Sequence, residues 1–551
     1  MKGYLNKLSV KFQGLYLLFF LLSVQIVTST IWLCGSSISW VNLPISIILA
    51  CLPFVFLKSQ KVNIVHNLAA GVIIIAICML FSLLLLDCSY DGNAYHQPII
   101  YALANGWNPI YQSHNPIIAD AWNMNLWIDH YCKGMETISS VFFAFTGNIE
   151  SGKAVNFLFP LATFFLLYDF LSNEIKCKLT KKKILLYSIG LSFSLITFRQ
   201  LFSYYIDQFG YYTYVLALIF LYEITCHQKK ISYFCLFAII VLSVSIKLNA
   251  AFWVAFLCLL TLVFLLIKRQ YSVATRFCTV GVLSALFAIC VTSANPYLTN
   301  TLDHSNPVYP LADETLGDGV ADNAIPLYLQ DKNRIVQVIL SHLSRPYNDL
   351  SLDHYMFPYQ FNIRNLYTSG GPDCKTGGGG FFFVELMVLS ILIFLLYKGK
   401  YKRHFIASVC FILISLVLLP MGMAFRYVPF IYLIPFIALF FTEISDPNSK
   451  YCNLVKYSMV VLLCANVAVT LVMSCAFETL YQYYSHKYVE TIKKEKLFDD
   501  FETLNWGFCY KVYGDKIISV QPKDHISDDY ILNTHVSAGP NVYFSPYLMN
   551  K

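Results

Sequence analysis

Residues 90–111 read YDGNAYHQPIIYALANGWNPIY and follow directly on a long apolar run. The stretch sets a carboxylate, Asp91, just ahead of an aromatic–imidazole pair, Tyr95 and His96, and ends in the turn signal Gly106-Trp107-Asn108-Pro109. A carboxylate held at the edge of an apolar phase can take a proton from an acceptor hydroxyl, which is the work of a general base. Asp87 lies within about one helical turn of Asp91, and Tyr95, His96 and Gln97 share a face with Asp91 if the segment is helical. The bland alternative is a solvated membrane edge with an aromatic belt. A metal is a third option. His96 and His114 could join Asp87 and Asp91 around a divalent cation such as Mg or Mn, which carboxylates and phosphate can bridge, although the spacing fits no zinc pattern.

Further charged residues recur at the ends of apolar runs or between them: Glu136, Asp207, Lys247, Arg345, Asp373 and Arg426. Charges at a membrane are costly and mark functional positions by default; for Lys247 and Arg426 the competing reading is snorkelling to the interface. Tyr101, Trp107, Tyr111, Trp122 and Trp127 could stack on sugar rings or a prenyl chain, or form an interfacial girdle. His304 and His354 read as hydrogen-bonding loop residues. Gly377–Gly380 lacks the Lys-Ser/Thr and the strand–helix context of a phosphate loop, and reads as a flexible lead-in to a span.

The elements that must position these residues follow from composition. Of 551 residues 57% are hydrophobic and 13% charged, far too little charge for the surface of a soluble protein of this size. Apolar stretches fall near 13–34, 42–57, 65–86, 154–172, 184–199, 211–226, 231–248, 250–267, 276–294, 381–397, 404–421, 425–442 and 455–476, about thirteen spans in an all-α polytopic membrane protein. The first is too long for a signal-peptide core and reads as an uncleaved span. Lys and Arg cluster in alternate short loops, so the net charge of +7 reports topology and not nucleic-acid binding. The N-terminus is then cytoplasmic. Segments 87–153, 200–210, 295–380 and 477–551 lie outside, and the last reads as a small α/β extracytoplasmic tail after a transmembrane module of 1–476. Most of the 17 cysteines sit in apolar runs as small hydrophobes; Cys88 and Cys132, in polar segments, are a candidate bridge.

The order of these motifs resembles bacterial membrane glycosyltransferases of the GT-C fold, the superfamily of protein mannosyltransferases and aminoarabinose transferases. YDGNAYHQPIIYALANGWNPIY looks like that family's first outer loop, with Asp91 matching the catalytic aspartate and Tyr95, His96, Gly106, Trp107, Asn108 and Pro109 matching the rest. HYCKGMETISSVFFAFTGNIESGKAVN is similar to the following amphipathic stretch, with Glu136. RQLFSYYIDQFGYY resembles the second outer loop, with Asp207, and SIKLNAA a Lys-bearing span end, with Lys247. NPYLTNTLDHSNPVYPL, GPDCKTGGGGFFF and MAFRYVPFIYLIPF resemble later signatures, carrying Asp373 and Arg426. Two features depart from the family: Gly379 replaces an aromatic, and two extra spans precede the first large loop.

The resemblance implies an inverting transferase in the cytoplasmic membrane that moves a sugar from a polyprenyl-phosphate donor to a glycan, lipid or protein acceptor on the outer face. Asp91 would be the base. Asp87, Tyr95, His96, Trp107, Asn108, Glu136, Asp207, Lys247, Arg345, Asp373 and Arg426 would line the substrate site, with the basic residues answering the lipid phosphate. A lipid-linked polysaccharide polymerase or ligase is the alternative within the same chemistry. A transporter or flippase predicts charges at mid-span and broken helices, whereas the ionisable residues here concentrate at outer span ends.

Overall fold

The computed structural model describes residues 9–56, 64–117, 124–174, 179–311, 325–348, 351–418, 422–444 and 450–495. The described part of the protein is all-helical, and no strand occurs among the described residues beyond an isolated bridge between Tyr347 and Thr376. Among the described residues seven helices are long and apolar enough to cross a membrane: Val10–Leu33, Ile64–Ser82, Ile149–Glu174, Asp207–His227, Leu248–Ile267, Tyr271–Thr292 and Lys450–Lys487. Asn42–Phe54, Lys230–Ile246, Phe383–Leu396 and Pro429–Ile444 are apolar but shorter. The chain is a multi-pass membrane protein. Val65, Leu80 and Ile267, each about two-thirds exposed or more, sit on helices whose outer faces have no protein partner to cover them, as lipid-facing helices require.

The expected stretches map onto these helices with local corrections. The run at 184–199 is not one helix. Helix Lys181–Ser192 ends at Phe193, which leaves helical geometry, and a second short helix, Leu195–Gln200, starts after the Ser194 hydroxyl pairs with Thr197. The run at 455–476 belongs to a helix of 46 residues, Lys450–Glu495, so helix continues past the point where an outer tail was expected to begin. The proposed α/β character of that tail falls on residues 496–551, outside the described residues.

Two compact units divide the chain: one takes residues 1–166, 201–317 and 481–551, the other residues 167–200 and 318–480. In the first, helix Val10–Leu33 is almost wholly enclosed, with Tyr16, Leu17, Leu18 and Phe20 inaccessible. Lys11 and Lys229, from two loops assigned to one side of the membrane, meet on Glu223 at 3.4 and 2.7 Å. The second unit has its own core around Leu386, Ile393, Tyr397, Phe405 and Met459. There Lys183 and Lys456 converge on Glu443.

Candidate functional site

In the first unit, helix Ile64–Ser82 ends before the polar stretch, and residues 86–89 are unwound. Asp87 and Asp91 are therefore not successive turns of one helix, contrary to the sequence expectation. The unwound backbone is satisfied by side chains from far along the chain. Gln482 accepts from the Leu86 amide at 3.1 Å and donates to its carbonyl at 2.7 Å, as a neighbouring peptide would. Glu150 accepts from the Asp87 amide at 3.0 Å and pairs at 2.7 Å with Lys153, which also donates to the Leu85 carbonyl. Lys153 is completely buried. Its i,i+3 spacing from Glu150 is the one sequence signal that could have found this pair.

Asp87 is inaccessible to solvent. One carboxylate oxygen accepts from the Ser89 amide at 2.9 Å, the other from the Gln97 side chain at 2.9 Å, and Gln97 also donates to Asn93. Asp87 thus anchors the segment. Asp91 is half-buried and sits at the start of a π-helical turn, Gly92–His96, in which the Gln97 amide reaches back to the Gly92 carbonyl. Such a turn holds one residue more than an α-turn and is frequent at functional sites. It rotates His96 inward, where the imidazole forms a close, buried pair with Glu136 near the start of helix Gly134–Thr146. Tyr95, half-buried, packs its ring beside His96 at 4.3 Å.

His96 and Glu136 line a small cleft with Ser139, Asn156, Tyr204 and Ile206. Ile206 leads into helix Asp207–His227, whose first residue pairs with Lys247 at 2.5 Å. Lys247 is extended and separates helices Lys230–Ile246 and Leu248–Ile267. It is neither a lone snorkelling cation nor unpaired, and Asp207 is placed where a helix N-terminus favours a carboxylate. The first unit thus brings together Asp91, Tyr95, His96 and Glu136 in one group and Asp207 with Lys247 in another beside it.

Trp107 and Asn108 are both taken up in contacts within the protein. Trp107 is fully buried, donates to the Gln112 carbonyl at 2.9 Å and carries the Lys133 ammonium 5.3 Å from its ring centre. Asn108 donates to the Trp32 carbonyl at 2.9 Å. Both fasten the turn that begins at Gly106, whose φ of 108° suits glycine at a helix C-terminus. Trp127 is half-buried against Tyr131, and Trp122 lies outside the described residues.

Lys133, which the sequence did not single out, is buried, and burial pushes its amine down to about 8. It donates to the carbonyls of Asp129 and Tyr131 and to Asn295 at 2.8, 2.9 and 2.6 Å. The expected metal set also changes. His96 is committed to Glu136 and Asp87 to Ser89 and Gln97, while His114 lies with Asp129 and His130. Cys88 and Cys132 are not bridged; Cys88 accepts from Ser485 at 3.1 Å, and Cys132 meets the Tyr297 hydroxyl at 3.4 Å.

The second unit gathers the remaining predicted residues. Arg345 grips Glu385 at 2.7 Å, donates to the Phe381 carbonyl and lies over the Phe381 ring. Asp373 pairs with Lys375 at 2.9 Å and Arg426 at 3.4 Å. Arg199, missed by the sequence reading, is buried and donates to the Gly378 carbonyl at 2.5 Å. The four glycines are not a flexible lead-in. A Cβ on Gly379 would come within 2.2 Å of the Phe383 ring, and one on Gly377, at a φ of 65°, within 2.4 Å of the Arg345 backbone. Glycine is needed there for close approach.

Burial raises the pKa of Asp373, but Arg426 and Lys375 outweigh it and hold the carboxyl at about 2. A folded pKa below the unfolded one gives stability that is complete above about pH 4 and is lost as pH falls towards 2. The shift is worth about 2 kcal/mol. Asp373→Asn should therefore flatten the acid limb of the thermal-midpoint profile in detergent between pH 5 and pH 2.5. Equal acid sensitivity in both proteins would show that the pair carries none of it.

No family model matches the chain, and no curated protein or solved structure matches it.

Proposed function

We propose that this chain is an inverting membrane glycosyltransferase of the GT-C type, moving a sugar from a polyprenyl-phosphate donor to an acceptor hydroxyl at the outer face of the cytoplasmic membrane. The observation that carries the reading is the contrast between two nearby carboxylates. Asp87 is fully enclosed and accepts from Ser89 and Gln97, whereas Asp91 is half-buried at the N-cap of the π turn, nine residues beyond the end of an apolar helix.

In the proposed reaction Asp91 takes the acceptor proton as the acceptor oxygen bonds to the anomeric carbon. The bond from that carbon to the phosphate oxygen breaks, and the electron pair leaves on the lipid phosphate. The carbon passes through an oxocarbenium-like state, as in glycoside chemistry generally. His96 and Glu136 fix the π turn from behind. Lys247, about one-quarter exposed, is the cation of the first unit that can answer the developing phosphate charge by sharing its contact with Asp207. Arg345 and Arg426 are held by Glu385 and Asp373, so the proposal gives them structural work in the second unit.

The test is transfer in proteoliposomes carrying the purified full chain, radiolabelled polyprenyl-phosphate sugars of several kinds and a bacterial envelope extract that supplies the acceptor. The expected result is a new alkali-stable glycoside from at least one of them and none from nucleotide sugars. Passage of the labelled lipid across the bilayer without a new glycosidic bond would sink the transferase reading in favour of a flippase.

A further inference from the structure

The first unit contains a cluster that the transfer chemistry does not use. Nδ1 of His114 lies 3.1 Å from Oδ2 of Asp129, and ligand atoms of His114, Asp129 and His130 all fall within 4.8 Å of one another. Asp129 and His130 are buried, while the His114 side chain is 72% exposed, so the cluster has a rigid floor and one open side.

The surroundings orient these groups as ligands. The other Asp129 oxygen accepts from the Asn115 amide at 2.9 Å. The Asn300 side-chain amide donates to the carbonyls of His130 and Tyr309 at 3.1 and 2.9 Å, so its oxygen must face the other way. That oxygen lies 2.8 Å from Nδ1 of His130. His130 is therefore held as the Nδ1–H tautomer, with the Nε2 lone pair left for an ion. This carbonyl-to-imidazole support is the usual second partner of a metal-bound histidine. The His304 ring stands edge-on to His130 at 4.9 Å, and its Nε2 is buried without a hydrogen-bond partner.

We propose that His114, Asp129 and His130 bind a divalent transition-metal ion of the zinc class. Two imidazoles and one carboxylate suit such ions, whereas Mg and Ca prefer oxygen ligands alone. A tetrahedral ion with bonds near 2.0–2.2 Å sets its ligand atoms about 3.4 Å apart, so the cluster contracts on binding, and exposed His114 is the side chain with room to turn. The Lys133 ammonium opposes a cation here, and the Asp129 carboxylate offsets it. The ion ties segment 105–117 to helix Asn125–His130 and, through Asn300, to helix Ala294–His304.

The experiment uses the full chain in detergent, stripped with a chelator and titrated with Co(II) as a spectroscopic probe. The expected result is one equivalent bound, with visible ligand-field bands that Zn(II) abolishes and Mg(II) does not. His114→Ala, at an exposed position that leaves the fold intact, should lower the affinity at least tenfold, and Asn300→Leu should lower it ten- to a hundredfold. The proposal is overturned if the wild type shows no bands, if His114→Ala binds as tightly as the wild type, or if Mg(II) displaces Co(II) as readily as Zn(II).

Discussion

Asp91→Asn is expected to slow sugar transfer by about a hundredfold to ten-thousandfold with normal abundance and an unchanged thermal midpoint. The amide keeps the size of the side chain and removes the proton acceptor. Asp91 is half-buried and its side chain does not cap the turn that follows it, so the isosteric amide is expected to keep the fold. Asp87→Asn provides the contrast. Asp87 accepts from Ser89 and Gln97, and an asparagine there must turn its NH2 towards one of these donors. A buried donor facing a donor costs about 1–3 kcal/mol, so this variant should lose stability, with its remaining folded fraction keeping most of its turnover. Normal transfer by Asp91→Asn would remove Asp91 as the base. A full loss in Asp87→Asn at wild-type stability would move the base to Asp87.

That contrast also marks the limit of what the sequence discloses. Apolar runs long enough to span a bilayer are visible because hydropathy is a local property, and the helices at 10–33, 64–82, 207–227 and 248–267 follow them closely. The break at Phe193 and the continuation to Glu495 depend on hydrogen bonds and packing that hydropathy does not register. The same holds for partners. Asp207 and Lys247, His96 and Glu136, and Asp373 and Arg426 were each singled out for their chemistry, but nothing local says that they pair across tens of residues. Asp87 and Asp91 look alike in sequence, and only the contacts from Ser89, Gln97 and the distant Glu150 and Gln482 around the unwound turn separate an anchor from an accessible carboxylate. For Trp107 the sequence offers stacking on a sugar or prenyl chain or a place in an interfacial girdle, and nothing local shows that the turn folds the indole under Lys133.

Gly92→Ala is the substitution expected to do the most damage to the fold at this site. Gly92 opens the π turn, and a Cβ built on it would stand 1.8 Å from a carboxylate oxygen of Asp87 and 2.4 Å from the Ser89 hydroxyl. Neither neighbour can yield cheaply. Asp87 is held by Gln97 and by the Ser89 amide, while the Ser89 hydroxyl accepts from the Gly92 amide at 3.1 Å. Overpacking of a closed site costs about 1–3 kcal/mol and occasionally more, and here it also strips hydrogen bonds from a buried carboxylate, so a loss of about 3 kcal/mol or more is expected. Gly281→Ala is the control. It lies in helix Tyr271–Phe287 with nothing within 4 Å of its added Cβ, and alanine there should stabilise by about 0.5–1 kcal/mol. The decisive comparison is the double variant Gly92→Ala with Asp87→Ala. Removing the obstructing carboxylate relieves the clash, so the double variant should be less destabilised than the sum of the two single ones. Additive losses would mean that the two positions do not meet, and the account of Asp87 as the anchor that shapes the turn carrying Asp91 would fall with them.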